Sequence, residues 1–301
     1  MMKRRILLKT LAVGTLLVPF GHWVTRRTVQ TPLQTDPVSV TLHDPEPHFP
    51  VVQTAAQQPA VQKIAQWDRI SQFDDTFSHD VFLTRDKLNI LELCLRRMIR
   101  LQNHMGYGHF NILGFDSMLR YAQQFPDIGT FTKIELAFIE EIFHHDAQQY
   151  GFMGKKVMQK LTDKISSVDI TKIAGSGHYL YYGEALDMYQ RLKKDIGPTL
   201  VLTSGIRGMA KQLYLFLSKA KATGGNLSRA SRSLAPPGHS YHGIGDFDVG
   251  QADLGTDNFT ARFSESMAYK QLRELEYIDI RYTSNNHLGV RFEPWHIKVV
   301  T

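Results

Sequence analysis

The apolar positions change their spacing along the chain, and each change marks a different kind of structure. An apolar run from Leu11 to Phe20 follows the charged stretch Lys3 to Lys9. Between Pro32 and Pro59 no period survives, and half of all the prolines gather there. From about Asp68 to Ile165 the pattern is helical: Leu88, Leu91, Leu95 and Met98 recur at three and four residues behind Thr84, a capping residue. Thr132 and Glu135 form a capping box ahead of Leu136, Ile139, Ile142 and Phe143. After Ser166 the signals mix. Thr199 to Thr203 is a β-branched strand, Met209 to Ala220 an amphipathic helix ended by Gly224 and Gly225, and Phe263 to Leu275 a further helix. Ile278 to Tyr282 and Val290 to Phe292 flank the turn residues Ser284, Asn285 and Asn286, which predicts a hairpin.

The expected organisation is therefore a leader at 1–27, a Pro-rich linker at 28–66, an all-helical domain at 67–165 and an α+β domain at 166–301. The leader has a charged start and a short apolar core, as an export signal does. Arg4 and Arg5 with Leu7, Leu8 and Lys9 resemble a twin-arginine signal, though Lys3 stands where Ser or Thr is usual. Export to the periplasm is expected. Residues 6–24 approach the length of about 20 apolar residues that spans a bilayer, so an uncleaved inner-membrane tether is the alternative.

Charge narrows the function classes. The net +6 comes entirely from Lys3, Arg4, Arg5, Lys9, Arg26 and Arg27, and the rest of the chain is balanced. Nucleic-acid binding needs clustered cations on a folded face, so none is expected here. The single cysteine, Cys94, lies in an apolar helical stripe and excludes an intrachain disulfide. Oligomeric state leaves no signal in the sequence.

Two clusters of potential metal ligands stand out. Glu140, Glu141, His144, His145 and Asp146 share a helix, but acids early and histidines late suit the helix dipole, and the order is not H-E-x-x-H. The other cluster combines Ser240-Tyr-His242-Gly-Ile-Gly245-Asp246-Phe-Asp248 with Glu293-Pro-Trp295-His296. A catalytic zinc takes three N or O ligands and leaves a fourth position open. His242, Asp248 and His296 can supply them, although strand alternation puts Asp246 on the same face as Asp248. Glu293, three residues before His296, is placed to act as general base and then acid. An amide is a poor electrophile and neutral water a poor nucleophile, and zinc remedies both.

These segments resemble the S-x-H-x-x-G-x-A-x-D and E-x-W-H signatures of the D-alanyl-D-alanine carboxypeptidase and dipeptidase family of zinc peptidases. Ser204-Gly205-Ile206-Arg207, with Gln212 beyond it, is similar to the family's S-G-Y-R-S segment, so the resemblance runs from about Thr199 to Val300. It implies a zinc peptidase domain on an antiparallel sheet, with His242, Asp248 and His296 on the metal and Glu293 as base. It also implies that Arg207 meets the developing oxyanion and that Ser240 and Gln212 bind substrate. The chain departs from the pattern in one respect: His242 and Asp248 are six apart rather than seven, and Phe247 fills the alanine position, which keeps Asp246 a rival ligand.

The implied reaction is hydrolysis of a peptidoglycan stem peptide, with release of terminal D-alanine as the first expectation. An endopeptidase with the same site and a non-catalytic wall-binding module are the alternatives. Lys221, Arg229 and Arg232 are expected to be solvated loop charges, His178 and His239 to lie outside the ligand set, and Trp295 to pack beneath the site.

Overall fold

The computed structural model describes residues 66–299, and the leader and nearly all of the Pro-rich linker lie outside the described residues. After a helical stretch at 66–71 come four helices: α1 (Arg85–Met105), α2 (Tyr107–Asn111), α3 (Phe115–Gln124) and α4 (Lys133–His144). Thr84 caps α1 by accepting from the Lys87 amide, and Thr132 and Glu135 form the expected reciprocal box at α4. The buried Glu135 also takes the Arg97 guanidinium at 2.8 Å, which joins the start of α4 to the middle of α1. The helical pattern stops earlier than its apolar spacing suggests. Gly151 adopts φ 87° and ends the turn Ala147–Tyr150, a left-handed cap that glycine favours. Beyond it Val157 and Met158 donate their amides to Gly238 O, so this stretch covers a loop instead of forming a helix.

The carboxy-terminal part contains a short ribbon, β1 (Ile170–Lys172) with β2 (Tyr179–Tyr181), then α5 (Glu184–Ile196), β3 (Leu200–Ser204), α6 (Met209–Ala222) and α7 (Leu227–Ser231). β4 (Phe247–Gln251), α8 (Met267–Leu272), β5 (Asp279–Ile280) and β6 (His296–Lys298) complete it. The main sheet is antiparallel in the order β3-β4-β6-β5. Its inner face carries Leu200, Leu202, Phe247, Val249 and Ile297, packed with Leu192 of α5 and Leu272 of α8. The fold is thus α+β, with helices ahead of a small antiparallel sheet.

Helix α6 belongs to both halves. Leu213, Phe216, Leu217 and Ala220 share one core with Leu91, Met98, Phe110, Met118, Ile139 and Phe143 of the preceding helices. Among the described residues, no helix is long and apolar enough to cross a membrane.

Two elements differ from expectation. The helix expected at Phe263 to Leu275 is a 3-10 turn, Ala261–Glu265, followed by α8, because the Ser266 side chain accepts from the Tyr269 amide and starts a new helix there. The hairpin partner of β5 is β6 and not Val290 to Phe292. Asn286 Nδ2 donates to Thr283 O and Val290 O at 2.7 and 2.9 Å, closing the intervening loop on itself, while the Arg291 amide pairs with Arg232 O.

Arg232 is also not a solvated loop charge. It is buried, with Nη1 2.9 Å from Asp80 Oδ1 and further donors on Phe73 O and Asp75 O. Asp80 additionally accepts from Arg69 and Asn226; burial would raise its carboxyl, but the bonds from Arg232, Asn226 and the Phe77 amide hold it down at about 2. Asp80→Ala would strand a buried guanidinium, and breaking such a pair costs about 3–5 kcal/mol. Urea unfolding should show a loss of that order, whereas a change below about 1 kcal/mol would mean the network contributes little.

Candidate metal centre and cleft

The sheet delivers two of the three candidate ligands. Along β4, Phe247 and Val249 point into the core, so Asp248 must face the other way. Asp248 pairs in register with His296 of β6 and with Ser204 of β3, beyond a register shift in β3. Directly opposed residues in an antiparallel pair project to the same side. These three side chains therefore stand in a row on the face away from α5.

His242 arrives from a 3-10 turn, Tyr241–Gly243. Its Nδ1 lies 2.8 Å from Gly205 O. A carbonyl only accepts, so Nδ1 carries the proton and Nε2 presents its lone pair. Gly205 can sit there because it lacks a side chain: an added Cβ would collide with the carbonyl oxygen of Tyr179 in β2. The ribbon thereby sets the height of the carbonyl that orients His242.

Suitable ligand atoms of His242, Asp248 and His296 lie within 4.8 Å of one another, and among the described residues no other trio of acid, His or Cys side chains does so. His242 Nε2 and His296 Nδ1 each come to 3.3 Å from Asp248 Oδ1. His242 Nε2 and Asp248 Oδ1 are nevertheless buried without a properly formed hydrogen bond. Buried polar atoms in proteins are almost always bonded. Two N and O atoms left open toward one point fit a cation with nitrogen and oxygen preferences, as zinc has.

Asp246 has different work. Its Oδ2 lies 3.0 Å from His296 Nε2, and it takes Arg281 through both Nε and Nη2 and the Val299 amide at 2.9 Å. It stands behind the His296 ring and turns Nδ1 toward Asp248. Arg281 and this supporting acid carry no spacing signal that would have separated Asp246 from Asp248 in the sequence.

Glu293 completes the group. The His296 amide donates to Glu293 O, closing a turn with Pro294 at its second position. The turn brings residues three apart to the same side, and Glu293 Oε2 lies 3.6 Å from His296 Nδ1.

Residues 180–301 match the family model described as VanY, D-alanyl-D-alanine carboxypeptidase. This carboxy-terminal segment is similar to the VanY family over residues 180–301. No match was found among curated proteins. The chain is similar to the solved structure of the LdcB LD-carboxypeptidase, concerned with peptidoglycan recognition, at 26% identity over 43% of this chain and 62% of that one, with a TM-score of 0.36. A point variant of the vancomycin-resistance D,D-pentapeptidase VanY in complex with Zn(II) matches at 19% identity over 44% of this chain and 78% of that one, TM-score 0.33. VanYB in complex with D-alanine-D-alanine matches at 17% identity over 50% and 85%, TM-score 0.36. The chain thus spans less than two thirds of the length of the LD-carboxypeptidase.

Around these ligand atoms the charges act strongly on one another. Burial would raise the Asp248 carboxyl, but His242 and Arg207 outweigh it and hold it well below the usual range. His242 is pushed down to about 4, first by burial and then by Arg207. His296 goes the other way, up to about 9: hydrogen bonds to Asp246 and Glu293 and the charge of Asp248 overcome its burial. Asp248 and Glu293 thus call for positive charge beside His296 Nδ1, and a proton or a divalent ion can provide it.

A cleft of about 370 Å³ opens over these residues, and Ser204, Arg207, Ser240, Tyr282, Glu293 and Trp295 help to line it. Arg207 reaches Asp248 Oδ2 with Nη2 at 2.6 Å and Ser204 Oγ with Nε at 3.0 Å. Gln212, expected at the substrate, is instead buried outside the cleft lining, and its amide is already committed. Its Nε2 donates to Arg207 O at 2.7 Å and its Oε1 accepts from Gly238 N at 2.9 Å, so it fastens the Arg207 backbone to the loop before Ser240.

Of the other candidates, His178 lines the cleft and meets Asn111, and His239 turns away to Gly154 O. Lys221 and Arg229 meet Glu92 and Asp74 outside it. Trp295 is buried against the sheet core. Glu141 of the helix cluster pairs with Lys87 and forms no metal group.

Asp246→Ala would free the His296 ring and remove the ion pair between residue 246 and Arg281. Loss of such an outer partner typically weakens metal affinity about 10–100-fold. A zinc titration against a competing chelator should show that drop, and unchanged affinity would remove Asp246 from the metal centre.

Proposed function

We propose that this protein is a zinc peptidase of the cell wall that removes the terminal D-alanine from peptidoglycan stem peptides. The observation that carries this reading is the convergence of His242 Nε2, Asp248 Oδ1 and His296 Nδ1, two of them buried without hydrogen bonds, beside Glu293 in a segment similar to the VanY family. These three side chains would hold the metal. Bound there, zinc would act as a Lewis acid on the scissile carbonyl and lower the pKa of a water molecule.

The chain's own residues supply the rest. Glu293 takes the proton of the attacking water and returns it to the leaving amine. Arg207 has Nε and Nη2 fixed by Ser204 and Asp248, which leaves its other N–H groups to meet a developing oxyanion. Ser240, at the edge of the cleft, holds the terminal carboxylate. Asp246 and Gly205 O keep both imidazoles in the tautomers that face the metal. A wall substrate requires export, which the charged and apolar start of the chain supports, with residues 6–24 as the tether if the leader is retained.

Mass analysis of products decides the bond. Incubated with a stem pentapeptide and with crosslinked muropeptides, the protein should release one alanine from the pentapeptide. Cleavage confined to the crosslink would make it an endopeptidase. Zinc-loaded protein that binds wall peptides and releases nothing would be a binding module.

A further inference from the structure

Helix α6 carries a second message in its outward face. Lys211, Leu215 and Lys219 recur four apart along α6 and line the cleft together with Arg207, which lies just ahead of the helix. Residues four apart share one helix face, about 6 Å per step, so this stripe leads away from the metal centre. Leu213, Phe216, Leu217 and Ala220 of the same helix are locked in the core shared with α1 and α4, which fixes the direction of the stripe.

The cations of the stripe are not equivalent. Arg207 has Asp248 at 2.6 Å, and Lys219 has Asp74 at 3.8 Å. Lys211 has no acidic partner among the described residues, although it is half-buried. Burial first, and Arg207 second, pull its ammonium down to about 8. His178, on the same cleft, cannot compensate: burial, Arg207 and Lys211 push it down to about 4, so it is neutral. A partly dehydrated cation without a counter-charge is costly unless a ligand supplies one.

We propose that Lys211 binds a carboxylate of the peptide substrate and so helps to select and position the peptide in the cleft. The inference rests on the peptidase reading above for the identity of the ligand as a peptide. Arg207, just ahead of α6, is near enough for its charge to act on Lys211, and an extended peptide advances roughly 3.3 Å per residue, so about two residues bridge a gap of that order. The carboxylate therefore belongs to the chain end or to an acidic side chain within about two residues of the scissile bond.

Binding, separated from turnover, tests it. Three peptides are titrated by calorimetry into the full-length, zinc-loaded Glu293→Gln protein, alone and combined with Lys211→Met or Lys211→Arg. They are a stem pentapeptide, its carboxy-terminal amide, and the pentapeptide with its side-chain carboxylates amidated. Lys211→Met should weaken binding of the pentapeptide about 10–100-fold, the effect of losing a hydrogen bond to a charged group. Lys211→Arg should recover most of it, and zinc content and Tm should match the parent. The peptide on which Lys211→Met has no effect names the carboxylate. Equal affinities with and without Lys211 on every peptide, an equal loss on all three, or no binding of any of them would overturn the proposal. Failure of the peptidase reading shows separately, as wild-type protein that leaves the pentapeptide intact.

Discussion

His296→Ala is expected to abolish hydrolysis and to reduce zinc affinity by more than the factor of about 10–100 that follows loss of an outer partner. Three neighbours explain why the effect is local. Asp248 keeps Arg207, and Asp246 keeps Arg281 and the Val299 amide, so neither carboxylate is stranded when the imidazole goes. The strand pairing of β6 runs through backbone groups that alanine retains. The variant should consequently fold, with its apolar core behind β4 and β6 intact, while Tm loses its response to added zinc. Wild-type activity in this variant would remove His296 from the site.

Glu293→Gln is expected to separate metal binding from chemistry. Gln keeps the size and the turn with His296 but cannot take a proton. General acid–base catalysis contributes about 10²–10⁴-fold, so kcat should fall by that order. The ligand atoms of His242, Asp248 and His296 are untouched, so zinc content should stay at the wild-type level. Full activity in Glu293→Gln would rule it out as the base, and loss of zinc would make it a ligand instead.

How much of this was visible in the sequence depends on the range of each interaction. Thr84 and the Thr132–Glu135 box act within one turn, and the helices they start were legible. The partner of β5 was not, because it depends on Asn286 closing a loop and on Arg291 pairing with Arg232. The burial of Arg232 depends on Asp80, far away in the chain. Residue types and order announced the His242, Asp248, His296 and Glu293 group. Strand alternation alone left Asp246 and Asp248 equivalent, since both face the same side. What separates them is the second nitrogen of His296, which engages Asp246 and turns the ring toward Asp248. Gln212 kept its place in the motif while its amide was committed to the backbone, and no linear pattern reveals such a commitment.

Diffraction from crystals of the zinc-loaded protein at the zinc absorption edge tests the central claim most directly. The account predicts one anomalous peak in contact with His242 Nε2, Asp248 and His296 Nδ1, with Asp246 behind the ring and off the metal. No peak there, or a peak coordinated by Asp246 in place of Asp248, would contradict it.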